Sequence, residues 1–181
     1  RSRVEAFLKK QDAALERFAT AARHADCFFE FEIPTGALLG YELPQLPTLR
    51  GLARATLLRA RLRLLTGDLH GATVDTATLL RLSWHLQTQP MTVTFMVGMA
   101  VGSLAHVGLL EFPLYTKTAA DYERVLAMLA EDDRGSPQPT GVLLYEKLSA
   151  WDAAQRDLRQ RGRPAVFRQL LDRCASEAAT L

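Results

Sequence analysis

The sequence predicts an all-α fold: a single-domain antiparallel array of about six helices around a central apolar helix at residues 91–111. Three observations predict it. The run from Met91 to Leu110 (MTVTFMVGMAVGSLAHVGLL) carries no charge unless His106 takes a proton, and Gly98, Ala100, Gly102, Ser103, Ala105 and Gly108 spread small side chains through it. A run that long and apolar is either a membrane span or a helix enclosed by other helices. The segments on both sides repeat apolar residues at three- and four-residue steps and need a shared core, which this run supplies. No strand–helix–strand alternation runs along the chain.

Composition sets the class and excludes others. The chain has 181 residues, 48% of them hydrophobic and 23% charged, the balance of a globular domain large enough to bury a core. A formal charge of +2 argues for neither nucleic acid nor an anionic membrane as partner. The first residue is Arg1 and no basic-then-apolar leader follows, so the expectation is a fragment whose natural start, with any signal peptide or anchor, has been removed. Cys27 and Cys174 stand near opposite ends without metal spacing; two unpaired thiols are expected in preference to a disulfide.

The elements follow in order. Arg3 to about His24 is a helix with Val4, Phe7, Leu8, Leu15, Phe18 and Ala22 on one side. Cys27 to Ile33 alternates apolar and acidic residues, a short extended segment at 27–33 that Pro34 ends. Pro34 to Pro47 reads as an ordered apolar loop. A helix is expected from Leu49 to Leu65 with Thr48 as its N-cap, and Gly67-Asp68 closes it. Leu69 to about Gln87 is the next helix. Pro90 then takes a first-turn position in the apolar helix, which Pro113 closes.

Thr118 opens a helix with Tyr122, Val125, Leu126 and Leu129 on one face. Residues 134–139 (RGSPQP) read as an exposed linker and a possible sub-boundary. A helix from Thr140 to Gln160 follows, striped by Leu144, Leu148, Trp151 and Leu158. Gly162 and Pro164 break the chain before a last helix, Ala165 to about Ala178.

Ala60, Gly67-Asp68 and Ala72 fall where a tetratricopeptide hairpin places a small mid-helix residue, its turn and a second small residue for close helix approach. Only one such unit is visible. A wider pattern spans about residues 25–110: Leu49-Arg50, Leu52-Ala53, Arg59-Ala60, Gly67-Asp68, Leu79-Leu80-Arg81-Leu82, Pro90, Val97-Gly98 and Ala100. In these residues the chain resembles a family of uncharacterised bacterial all-helical proteins with a tetratricopeptide-like hairpin. The resemblance implies a helical fold and a bacterial cell-envelope or periplasmic location. It implies no activity, and the carboxyl-terminal half departs from the pattern.

No catalytic motif is present: no GxSxG, no HExxH, no glycine-rich phosphate loop and no Glu-x-x-His pair. Glu30 and Glu32 share a face, but burial of Phe29 and Phe31 explains the same alternation. His24, Asp26 and Cys27 lie close in sequence without the spacing of a metal site, and His70 and His85 are too far apart to share a ligand, so no metal or cofactor is expected. His106, inside the apolar helix, is expected to sit in the core, bonded to a carbonyl or carboxylate. Arg50, Arg54 and Arg61 share a face of their helix, with Arg59 and Arg63 elsewhere around it; ion pairs with acids such as Asp68 and Asp75 are their expected role.

Two functions remain. One is a non-enzymatic interaction scaffold that binds a protein or peptide through a helical-repeat-like surface, with Tyr41, Arg50, Arg54, Arg61 and His106 as candidate surface residues. The alternative is a binding module for an apolar small molecule or lipid held between helices, in space left by the small residues of 91–111. A membrane span there is disfavoured, since the flanks lack interfacial Trp or Tyr and asymmetric Lys or Arg.

Overall fold

The structure, a computed structural model, describes residues 2–27, 43–130, 137 and 139–161. Among them it is all-α, as the sequence predicts: α1 (Ser2–Ala22), α2 (Gln45–Thr66), α3 (Leu69–Gln87), α4 (Thr92–Glu111), a 3-10 turn (Phe112–Leu114), α5 (Ala119–Ala130) and α6 (Thr140–Arg161). The chain divides into two compact units. The first comprises Arg1–Glu30 and Pro44–Val142, and the second Phe31–Leu43 with Leu143–Leu181. The extended segment at 27–33, the loop from Pro34, most of the 134–139 linker, the last helix, Tyr41 and Cys174 lie wholly or mainly outside the described residues.

In the first unit α2, α3 and α4 run up, down and up. α1 lies against α2 and α3, and α5 against α3. α1 forms where its apolar steps predict, burying Leu8, Leu15, Phe18 and Ala22, while Phe7 stays exposed. Leu8, Leu15 and Ala55 make one core cluster, with Val4, Leu52, Leu58 and Leu62 packed on it. A second cluster joins Leu64, Ala72, Phe112 and Val125, and so ties the α2–α3 turn to the end of α4 and to α5.

Helix ends differ from expectation in two places. α2 begins at Gln45 with Pro44 as its N-cap, and Pro47 lies inside the first turn rather than before the helix. The first N–H groups of a helix have no partner within it, so a proline there removes no bond. Thr48 is therefore helical and not a cap. In α4 the N-cap is Met91, extended at φ −103° and ψ 135°, so Pro90 stands outside the helix.

The Gly67-Asp68 turn is as read from the sequence. Gly67 is left-handed (φ 85°), and the Gly67 and Asp68 N–H groups donate to Leu64 O (3.1 Å) and Arg63 O (2.9 Å), closing α2. Asp68 then caps α3 by accepting from Gly71 N at 2.9 Å.

The enclosed helix is α3, not α4. Its buried positions include Ala72, Thr73, Asp75, Thr76, Thr78, Leu79, Ser83, His85 and Leu86. Polar groups inside a core need partners, and most of these have them, His85 through Nε2 while its Nδ1 has none among the described residues. The hydroxyls of Thr73, Thr76 and Thr78 donate to Leu69 O, Ala72 O and Val74 O one turn back, at 2.8–2.9 Å. α4, apolar all round, buries one face and leaves the opposite face in solvent.

In the second unit, α6 exposes Leu144, Leu148 and Trp151 around an apolar groove of about 460 Å³, where the sequence predicts a buried stripe. Tyr122 and Leu126 of α5 are also exposed, and Val125 alone of that face is fully buried.

Candidate functional site

α4 carries two seams. The inner one, Thr94, Gly98, Val101, Ala105, Gly108 and Phe112, advances by fours and threes and is buried. Steps of three and four keep residues on one side of a helix. Small side chains here set the spacing between helices. A Cβ on Gly98 would lie 2.7 Å from Gln87 Cγ and 2.9 Å from the Ser83 carbonyl oxygen, and one on Gly102 would lie 2.7 Å from Ser83 Oγ. Ser83 Oγ donates to Gly98 O (2.9 Å), which joins α3 to the α4 backbone. On the α2 side, Leu57 Cδ1 stands 3.1 Å from where a Cβ of Gly108 would be.

The outer seam, Val93, Met96, Ala100, Ser103, Val107 and Leu110, has the same stepping and continues to Leu114. All of these are exposed, Met96 to 62% and Leu110 to 78%. Met99 widens the face. With 20 residues rising about 1.5 Å each, α4 presents an uncharged strip about 30 Å long. Contiguous apolar surface on this scale marks an interaction site more often than scattered apolar residues do. Its middle is small (Ala100, Ser103) and its ends are bulky.

The rim comes from α2. Arg50, Arg54, Leu57 and Arg61 fall on one stripe of that helix. Leu57 meets α4 at Gly108, and Arg61 donates to Glu111 through Nε at 2.9 and 3.0 Å. Both contacts advance in the same direction, so α2 and α4 are parallel, and Arg54 and Arg50 continue the border one and two turns toward the amino-terminal end of α4. Both are exposed, and neither has an ion-pair partner among the described residues. His106, expected in the core, is exposed on the opposite border together with Met99, seven positions away. An exposed His costs no desolvation, and the inner seam at that turn is filled by Ala105 and Gly108 instead. Of the candidates read from the sequence, Arg61 contacts α4 at Glu111, His106 is exposed on α4 itself, Arg50 and Arg54 are exposed on the same stripe of α2 as Arg61, and Tyr41 lies outside the described residues.

The buried imidazole is His85, whose Nε2 lies 3.2 Å from Ala22 O and whose ring meets Trp84 edge-on. Arg59 and Arg63 turn the other way, as an ion-pair role requires. Arg59 donates to Asp75 through Nε (3.1 Å) and Nη2 (2.7 Å) and to Glu16 through Nη1 (2.6 Å), and Arg63 Nη1 lies 2.8 Å from Asp75 Oδ2. Burial pushes the Asp75 carboxyl above its ordinary range against the pull of Arg59 and Arg63. Burial opposes the charge on Arg59 too, but Asp75 and Glu16 outweigh it and raise its pKa. Glu16, Arg23, Asp68 and His70 join these arginines around a polar cleft of about 320 Å³. Its three arginines face Glu16 and Asp68, with the buried Asp75 held by Arg59 and Arg63 beneath them, so acids offset most of the positive charge. Its role is to join α1, α2 and α3.

Cys27 is a free thiol whose pKa burial raises. His24 and Asp26 are exposed after α1. Among the described residues no group of three His, Cys, Asp or Glu side chains is placed to hold a metal ion.

No protein family, curated protein or solved structure matches the chain.

The residues that sequence reasoning missed are those of the outer seam. Their signal is a partial segregation by size: small residues at 98, 102, 105 and 108 on the covered side and bulky ones at 93, 96, 107 and 110 on the open side, with Val101 inside and Ala100 and Ser103 outside as exceptions. A polarity scale does not see it.

Proposed function

We propose that the protein is a non-enzymatic interaction module that docks a helix of a partner protein along the outer face of α4. One observation carries this reading: a helix clamped from behind by α2 and α3 presents an uncharged seam with three-and-four spacing to solvent. That spacing is the one by which helices interlock. The α2–α3 hairpin, tetratricopeptide-like in its Gly-Asp turn and in Ala72, supports a scaffold role, as does the resemblance to bacterial helical proteins.

The alternative of an apolar ligand between helices is less favoured, because Gly98 and Gly102 are used for contact with α3 and leave no space at those points. α4 is also long and apolar enough to cross a membrane. Its ties to Ser83, Leu57 and Arg61 favour a helix that stays in the bundle.

Site-specific photo-crosslinking in cells that make the protein tests the reading. A photoreactive residue at 96, 103 or 107 is expected to give discrete adducts of protein size, and one at 9 or 124 none. Lipid adducts alone, or equal labelling at all five positions, contradict it.

A further inference from the structure

We propose that the helix received by α4 carries acidic residues one turn apart along the edge that lies over α2, where Arg50 and Arg54 pair with them. The inference rests on the docking reading above and adds the chemistry of the partner. Its ground is an imbalance of charge around the face. The arginine row on α2 has three members, and Glu111 satisfies only Arg61. Arg50 and Arg54 continue the row back to about the middle of α4, one and two turns before the level of Gly108, exposed and without an ion pair among the described residues. Guanidinium groups at the edge of a desolvated apolar strip favour carboxylates opposite them and oppose a basic helix.

Two other occupants fit less well. A second copy of the chain, paired antiparallel through a two-fold axis at Ala100–Ser103, brings the arginine rows of both copies to the same border. Paired parallel, it offers Met99 and His106 to the arginines, and no carboxylate. A bilayer accepts any apolar strip, but gains nothing from a seam that is small at its centre. Ala100 and Ser103 let a second helix cross closely there while Met96, Val107 and Leu110 pack on either side.

The test uses the whole chain and three synthetic helical peptides with the same Leu/Ala seam and with Glu, Gln or Lys along one edge, binding being read by fluorescence anisotropy. The Glu peptide is expected to bind about tenfold more tightly than the Gln peptide, with the Lys peptide weakest and the preference fading at high salt. The double variant R50E/R54E, whose sites are exposed, is expected to keep the wild-type melting temperature and to prefer the Lys peptide. Equal affinity for all three peptides overturns this inference and leaves helix docking intact. Failure of every peptide to bind, with or without binding to vesicles containing an anionic phospholipid, overturns both.

Discussion

α3 and α4 are adjacent, antiparallel and nearly equal in length, 19 and 20 residues, yet their composition and their placement are opposed. α3 carries Asp75, His85, three threonines and Ser83, and it is the helix other helices surround. α4 carries no charge before Glu111, and half of it faces water. The difference teaches that enclosure depends on how far the polar groups are satisfied in place, and not on average polarity. A threonine that returns its hydroxyl to the carbonyl one turn back presents only a methyl group to its neighbours. An aspartate held by two arginines is likewise tolerated. Conversely, an apolar helix backed by its small residues leaves its large ones to something outside the domain.

The comparison breaks most readily at Asp75. Asp75→Ala leaves Arg59 buried with only the exposed Glu16 and Asp12 beside it, and a loss of about 3–5 kcal/mol is expected in urea unfolding. A loss under 1 kcal/mol would mean that the network does not hold α1, α2 and α3 together. Next comes the inner seam. Gly98→Ala should cost about 1–3 kcal/mol, because the new methyl group meets Ser83 O and backbone does not yield as a side chain does. Gly51→Ala in α2 is the contrasting substitution: nothing lies within 4 Å of that Cβ, and a gain of up to about 1 kcal/mol is expected. Thermal melts of the pair should therefore shift in opposite directions.

Ser83→Ala, which removes the donor to Gly98 O, should cost about 1–2 kcal/mol. The smallest effect is expected on the outer seam. Met96→Glu and Leu110→Glu should stay within about 0.5 kcal/mol of the wild type while abolishing the crosslinks at 103. Destabilisation as large as that of Gly98→Ala would place these side chains in a core.

Much of the fold is legible in the sequence. The Gly67-Asp68 turn, the apolar steps of α1 and the extent of α4 each rest on local backbone chemistry, which neighbouring residues determine. The pairing of Arg59 and Arg63 with Asp75 follows from helix register once the hairpin is drawn. What the sequence conceals is which face of an apolar helix is covered. Val101 and Val107 are chemically the same and six positions apart, but one is 1% exposed and the other 45%. Only packing against Ser83 and Leu57 distinguishes their sides. His106 shows the same limit: its apolar neighbours predict burial, and its position on the helix circumference gives exposure. The arginines of the rim are legible as a shared face, but not as the border of another helix.

Methionine oxidation of the monomeric protein tests the central claim most directly, because three methionines sample the same stretch. Met91 is fully buried, while Met96 and Met99 are 62% and 53% exposed. With dilute peroxide and peptide mass mapping, Met96 and Met99 are expected to reach sulfoxide well before Met91, and the Glu-edged peptide is expected to protect them. Equal protection of all three in the free monomer would return α4 to the centre of the bundle and contradict the account.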